Sequence, residues 1–434
     1  MMMTNNKKLY SGLFFSACIF LLTYVFSINA ESSSASFYLN KNGENTTVNS
    51  VGLGYFREGN VADLIYIDDD YHIQMRKSNG ASRSLQGSYQ ISKQYKYKKV
   101  WVVDVNNDGL DDLVSTNNIN QLYVLMATGD EWFFNAATVY GFSLAEGTVG
   151  SSDSIAIDDL DFGDFNGDGK VDIAVLATVS SSNTSGSGSQ APPNTTYYNE
   201  GYYSIALNKG SGTFTTPGMK KTGSLSQGTN AFIFTASFSG RVAAGDFNGD
   251  NKMDAAFCSH TNSSFSVPYS YIFPGNGNGT LDFNGNVSSG HRGCQDVTAV
   301  LPAGPFDNVI TAAKKSTFVF VDNSDSYAQV YDSQWNLVSE TKMEDTPRGP
   351  VGPFSDFNAD GSADMVFTNG KSSLVMVGWD WTNTTDRKIE NKTSMILGTG
   401  IQSSDVADVD GDGKPDVVGG YDKDVNAYYN DTAN

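Results

Sequence analysis

DFNGDGKVDIAV, residues 164–175, begins with acids, an amide and glycines and runs out into an apolar stretch. The same order, D-x-[ND]-x-D-x-x-x-D, returns as DVNNDGLDD at 104–112, DFNGDNKMD at 246–254, DFNADGSAD at 356–364 and DVDGDGKPD at 408–416. Side-chain oxygens at positions 1, 3, 5 and 9, joined by the backbone carbonyl of position 7, converge when the chain curls around one centre. Bare carboxylates held that close repel, and a hard cation such as Ca2+, which accepts about six to eight oxygens in flexible geometry, removes the cost. The candidate ligands are Asp104, Asn106, Asp108, Leu110 and Asp112; Asp164, Asn166, Asp168, Lys170 and Asp172; and Asp246, Asn248, Asp250, Lys252 and Asp254. Asp356, Asn358, Asp360, Ser362 and Asp364 form the fourth set, and Asp408, Asp410, Asp412, Lys414 and Asp416 the fifth. The expected cofactor is therefore structural Ca2+, five ions for five loops. Gly109, Gly169, Gly361 and Gly413 at position 6 permit the left-handed backbone of such a curl, and Asn251 is the residue type that best replaces glycine there.

The first six positions also fit a helix-flanked EF-hand loop, which closes with Glu at position 12. Here position 12 is Ser115, Val175, Phe257, Phe367 or Gly419. The segments after position 9, among them IAVLATV, AAFCS and MVFTN, are short and β-like, so each loop joins two strands. An acidic hairpin turn without metal would explain one copy; five copies argue against it.

The ninth-position aspartates lie at 112, 172, 254, 364 and 416, and the wide gap between 254 and 364 has room for two units. Within it Asp307, in AVLPAGPFDNVITA, precedes an apolar run, as Asp63 does upstream in VGLGYFREGNVADLIYI; neither carries the metal pattern. The series then has seven members, each with room for four short strands. This is an all-β chain, a seven-bladed β-propeller with Ca2+-binding loops in the A–B turns of five blades. After Asp416 there is chain for only two more strands, VVGGY and VNAYYN, while an unassigned SFYLN precedes the first unit. The N-terminal strand is expected to complete the seventh blade and so remove an open edge.

Together with LNKGSGTF at 207–214 and GNGNGT at 275–280, these loops resemble FG-GAP/VCBS repeats, found in integrin α-chain propellers, fungal propeller lectins and many secreted bacterial proteins. The resemblance covers nearly all of the chain after its first segment. It implies a seven-bladed propeller with structural Ca2+ and does not imply one activity. The first and fifth units depart from the metal pattern, so metal binding is not carried to them. No helix follows GNGNGT, which therefore reads as a strand-to-strand turn and not as a nucleotide loop.

Residues 1–30 have the form of a secretory signal: Lys7 and Lys8, an apolar run from Leu13 to Phe26, and Ala30 before ESSSAS. The expected organisation is a signal peptide at 1–30 and the propeller at 31–434, in a secreted or extracellular protein, with the periplasm or cell surface as variants and a retained anchor as the alternative. The net charge of −20 becomes −22 once Lys7 and Lys8 are removed. Such acidity argues against nucleic acid and anionic membrane as partners, and no membrane insertion is expected after signal cleavage. Cys258 and Cys294 then remain, as one disulfide in an oxidising compartment or as two buried thiols. Asn-x-Ser/Thr sequences, including Asn194, Asn278, Asn383 and Asn391, are as frequent as this composition produces by chance.

In a propeller the face opposite the A–B turns carries the long connections, where binding residues concentrate. SSSNTSGSGSQAPPNTTYYNEG, at 180–201, reads as a flexible surface loop in a B–C connection, with a structured ligand lid as the alternative and Tyr197 and Tyr198 as its anchors and candidate ligand-binding residues. SHTNSSFSVPYSY and SSGHRGC bring His260, Tyr269, His291 and Arg292 to the same face beside the cysteines, against the plainer reading of surface histidines next to a staple. The leading expectation is a secreted binding protein for a glycan or cell-surface glycoprotein, with a protein ligand as the close variant. Trp379 and Trp381 could stack on sugar, although they fall in a C–D turn on the metal face. The enzyme alternative is a polysaccharide lyase in which His260 or His291 takes a proton, Tyr269 supplies acid and Arg292 neutralises a sugar carboxylate. A third reading is a protein-binding scaffold whose metal loops only hold blades together.

Overall fold

The computed structural model describes residues 37–42, 48–117, 119–130, 134–145, 154–185, 194–221, 240–258, 270–291, 294, 296–300, 316–322, 325–343, 351–359, 364–368, 373–379, 389–398, 403–420 and 425–431. The signal pattern at 1–30 lies outside them. Among the described residues the strands form seven four-stranded antiparallel sheets. Sheets 1 to 6 are meanders in chain order, at 50–92, 99–141, 154–221, 241–288, 296–343 and 351–398. Sheet 7 takes 403–430, and its fourth strand is Phe37–Asn42 from the other end of the chain. Phe37 lies opposite Asn430 and Asn42 opposite Val425, so the expectation for SFYLN is met and backbone hydrogen bonds hold the two ends together.

First strands lie against one another between sheets 1 and 2 and from sheet 3 through to sheet 7, and that of sheet 1 also meets that of sheet 7. The second strands are buried on both faces: none of Asp63–Ile67, Asp112–Thr116, Asp254–Cys258 or Asp416–Gly420 has an exposed residue. This is why they read as near-continuous apolar runs, where a strand with one wet face would alternate. Fourth strands face outward, and Leu85–Ser92 is exposed along most of its length. The core is accordingly divided among the interfaces between sheets. Val114 of sheet 2 clusters with Leu160 and Ile173 of sheet 3, Tyr203 and Ile205 of sheet 3 with Phe257 of sheet 4, and Leu53 and Leu64 of sheet 1 with Val409, Val418 and Ala427 of sheet 7. Cys258 and Cys294 form a disulfide, Cα–Cα 5.4 Å, tying the second strand of sheet 4 to the approach to sheet 5. The reading of two free thiols is thereby removed.

Two expectations need correction. Residues 180–201 are mostly not a loop: the strands Asp172–Ser185 and Asn194–Ala206 of sheet 3 stay paired out to Ser185 opposite Asn194. Tyr197 and Tyr198 sit in this ladder opposite Ser182 and Ser181. Composition pointed to flexibility, but Thr and Tyr favour strands, and a ladder already begun by apolar residues extends through them. In sheet 5, the second strand is Thr317–Val321, paired from Val300 opposite Thr317 to Asp296 opposite Val321. Asp307 lies outside the described residues, ahead of the strand it was expected to open. NVITA lies outside the described residues with it, and TFVFV is the dense β-former seen in the sheet.

Candidate cation-binding turns

Each acidic segment forms the turn between the first and second strands of its sheet, in sheets 2, 3, 4, 6 and 7. The ninth-position aspartate anchors it. Asp112 Oδ2 accepts the Val105 N–H at 3.1 Å while Oδ1 accepts the Ala127 N–H at 2.8 Å, just past the end of the third strand. Asp172 does the same with Phe165 and Asn208, Asp254 with Phe247 and Gly275, and Asp416 with Val409 and Asn430. Asp364 accepts the Phe357 N–H at 2.9 Å. These carboxylates are wholly buried. Burial pushes Asp172 up to about 6, Asp112 and Asp416 to about 7 and Asp254 to about 8, against backbone hydrogen bonds that pull the other way. A positive charge nearby would favour their ionised form.

The remaining side chains are aimed by backbone N–H groups. Position 1 accepts from position 6, as in Gly109 to Asp104, Gly169 to Asp164, Asn251 to Asp246 and Gly413 to Asp408, all at 2.8–2.9 Å. Position 3 accepts from position 5, so Asn106, Asn166, Asn248 and Asp410 receive Asp108, Asp168, Asp250 and Asp412. Position 5 accepts in turn from the position-7 residues Leu110, Lys170, Lys252 and Lys414. Position 6 is left-handed as expected, at φ +86° in Gly109 and +64° in Asn251. Position 4 is left-handed as well, through Asn107, Gly167, Gly249, Ala359 and Gly411. The sequence carried that second signal in four of its five copies. Asp360, Gly361 and Ser362 of the sheet 6 turn lie outside the described residues; Asp356 begins that turn and Asn358 is buried in it.

In sheet 7 the buried Asp408, Asp410 and Asp416 bring one oxygen each within 4.8 Å of one another. An all-oxygen set of this kind fits a hard cation. Charges of the chain itself reach the rims of the turns: Lys170 Nζ lies 2.7 Å from Asp168, and Arg83 Nε lies 2.8 Å from Asp410 Oδ2 while its other nitrogens approach Asp412 and Asp431.

Sheet 1 shows the alternative to an added ion. Asp63 keeps the ninth-position role, accepting the Ser78 N–H at 2.8 Å. Position 3 of its turn is Arg57, whose Nε and Nη2 reach the two Asp63 oxygens at 2.8 and 3.0 Å and whose Nη2 also donates to the Ser78 carbonyl. The departure of this unit from the metal pattern is thus matched by a cation built into the chain.

Of the other candidates, His291 Nε2 is 2.9 Å from Glu340 and its Nδ1 is 3.7 Å from Asp322, with its ring 4.0 Å from that of Tyr327. It fastens the connection after sheet 4 to sheet 5. His260, Tyr269, Arg292 and Trp381 lie outside the described residues, and Tyr197, Tyr198 and Trp379 are placed only as strand positions.

Residues 104–175, spanning the first two acidic turns, match the FG-GAP-like repeat family. No curated protein matches the chain in sequence. Among solved structures, BBS1N in a crystal complex with ARL6DN soaked with lead aligns over 92% of this chain and 98% of its own, with TM-score 0.53 and 8% identity. The same complex soaked with mercury gives TM-score 0.48 at 7% identity, over 92% and 97% of the two chains. Rhamnogalacturonan lyase PL11 of Bacillus licheniformis gives 0.35 at 12% identity, over 90% of this chain and 66% of the lyase. The first of these likenesses is one of propeller-like fold.

Proposed function

We propose that the chain is a secreted, seven-bladed β-propeller whose acidic turns hold structural Ca2+ and whose opposite face binds a glycan or a glycoprotein at the cell surface. One observation carries the calcium reading: a buried ninth-position aspartate recurs through the acidic turns, and in sheet 1, where the acidic ligands are missing, Arg57 supplies the positive charge. Meander sheets, contacts between the first strands of most neighbouring sheets and an N-terminal strand closing the last sheet support the blade count. The disulfide is of a kind that persists in oxidising compartments, which supports export. A rigid set of interlocked sheets leaves the connections free to carry recognition.

The test is a broad glycan array probed with the purified chain in Ca2+ and again after chelation. A narrow set of positive glycans that fades with chelation is expected. A blank array in both conditions, with a protein captured instead by the Ca2+-loaded chain, would overturn the glycan assignment.

A further inference from the structure

A polar cavity of about 350 Å3 lies among the first strands of sheets 1, 2, 3, 4 and 7, lined by residues such as Lys99, Asp159, Arg241 and Ser403, upstream of the acidic turns. Its size is at the lower end of ligand pockets, which run from about 300 to 1,000 Å3.

Several of its polar groups are latches between sheets. Asp161 gives one oxygen to the Phe162 N–H and the other to the Ala244 N–H of sheet 4; Asp405 does the same with Val406 and with Leu53 of sheet 1. Burial pushes Asp161 up to about 7 and Asp405 to about 6. Ser403 Oγ accepts the Val51 N–H. These groups have little left to offer a ligand.

Lys99, Asp159 and Arg241 differ. Lys99 Nζ donates to the Asp158 carbonyl at 2.7 Å and stands 3.2 Å from Asp159 Oδ1. Among the described residues the Arg241 guanidinium touches only carboxylates, at 3.6 Å to Asp159 and 3.5 Å to Asp296, distances too long for strong hydrogen bonds. Most of its N–H donors remain available. Trp101 lies on the same wall, with Lys99 Nζ 5.8 Å from its ring. Two cations, Lys99 and Arg241, stand among the lining carboxylates Asp159, Asp161 and Asp405, with Asp296 beside Arg241, so the wall is rich in both donors and acceptors. A free anion would meet Asp159 and Asp296, and a free cation would meet Lys99 and Arg241. A neutral ligand dense in hydroxyls satisfies both signs, because each hydroxyl both donates and accepts, and an aromatic wall suits the apolar face of a sugar ring.

We propose that this cavity is a saccharide-binding site that takes one neutral sugar ring, hydrogen-bonded by Lys99, Asp159 and Arg241 with Trp101 against its side. The proposal rests on the glycan reading above and moves its centre from the region of His260 and His291 to the meeting of the first strands.

The experiment titrates the Ca2+-loaded chain with neutral methyl hexosides, with a methyl hexuronide and glycine betaine as charged and zwitterionic probes, followed by calorimetry and tryptophan fluorescence. Lys99→Met and Arg241→Gln should weaken hexoside binding about tenfold or more, the loss of a charged hydrogen bond, and Trp101→Phe should abolish the fluorescence response while retaining the wild-type melting profile. Trp101→Phe also keeps the test decisive should Arg241→Gln fail to fold. Hexoside binding unchanged in the folded variants would overturn the cavity assignment and leave the glycan reading standing. A wild-type chain negative for every hexoside and on the array would overturn both, as a solvent-filled hole only. Preference for the hexuronide or the betaine would overturn the neutral-sugar assignment.

Discussion

In the turn at 55–63, position 3 is Arg57; in the turn at 408–416, it is Asp410. Both turns bury a ninth-position aspartate completely, Asp63 in one and Asp416 in the other, and both use it to hold the last N–H of the third strand, at Ser78 and Asn430. Sheet 1 neutralises that charge with two guanidinium bonds from its own chain. Sheet 7 surrounds it with Asp408 and Asp410 instead. The invariant element is the buried aspartate, which stitches the turn to the third strand; what varies is the source of positive charge. In sheet 1 the guanidinium lies on the ninth-position aspartate itself, whereas in sheet 7 Arg83 reaches Asp410 and Asp412 at the rim, and no side-chain cation is bonded to Asp416 among the described residues.

Removing the guanidinium should have the largest effect. Arg57→Ala leaves Asp63 buried and unpaired, and about 3–5 kcal/mol of stability should be lost. Urea denaturation should give the same loss in Ca2+ and in chelator; a loss confined to one condition would break the comparison. The converse substitution, Asn106→Arg, places an arginine at position 3 beside Asp112. Stability in chelator should rise by about 2 kcal/mol, in line with a charge-assisted bidentate pair, and one bound Ca2+ should disappear.

The two kinds of turn should also differ in their response to pH. Asp112, Asp172, Asp254 and Asp416 hold protons more tightly folded than unfolded, because burial raises them. Without metal, that stabilisation is complete at low pH and is lost as pH rises through the folded values, between about pH 4 and about pH 8, by at most about 1.4 kcal/mol per pH unit for each group. In saturating Ca2+ the same groups are held ionised, so stability should instead fall on acidification. Denaturation midpoints across this range, with and without Ca2+, read the sign directly. The smallest effect is steric. Ala359 occupies a left-handed position 4 with φ +58°, and Ala359→Gly should stabilise the chain by about 1 kcal/mol.

Much of this was legible because the ninth-position aspartates are fixed both in spacing and in the kind of segment they open. Each precedes a strand buried on two faces, so acid and apolar run occur together, and Asp63 could be placed without its ligands. Arg57 was visible in YFREGNVAD, but its pairing with Asp63 needed the turn to be folded. The fifth unit lost its marker, and TFVFV, its described second strand, has no ninth-position aspartate in front of it to announce it. Composition misled at 180–201, where pairing decides structure and Ser-rich strands look like loops. The Lys99, Asp159 and Arg241 cluster lay hidden for a different reason. Its members come from three sheets and share a position ahead of the turn, yet they have no residue type in common.

The most direct test of the account is calcium stoichiometry by equilibrium dialysis on residues 31–434, with the thermal midpoint measured in parallel. About five bound ions and a midpoint that falls on chelation are expected, since a ligand at 100 times its Kd stabilises the fold by about 2.7 kcal/mol per site. No bound calcium and an unchanged midpoint would contradict it.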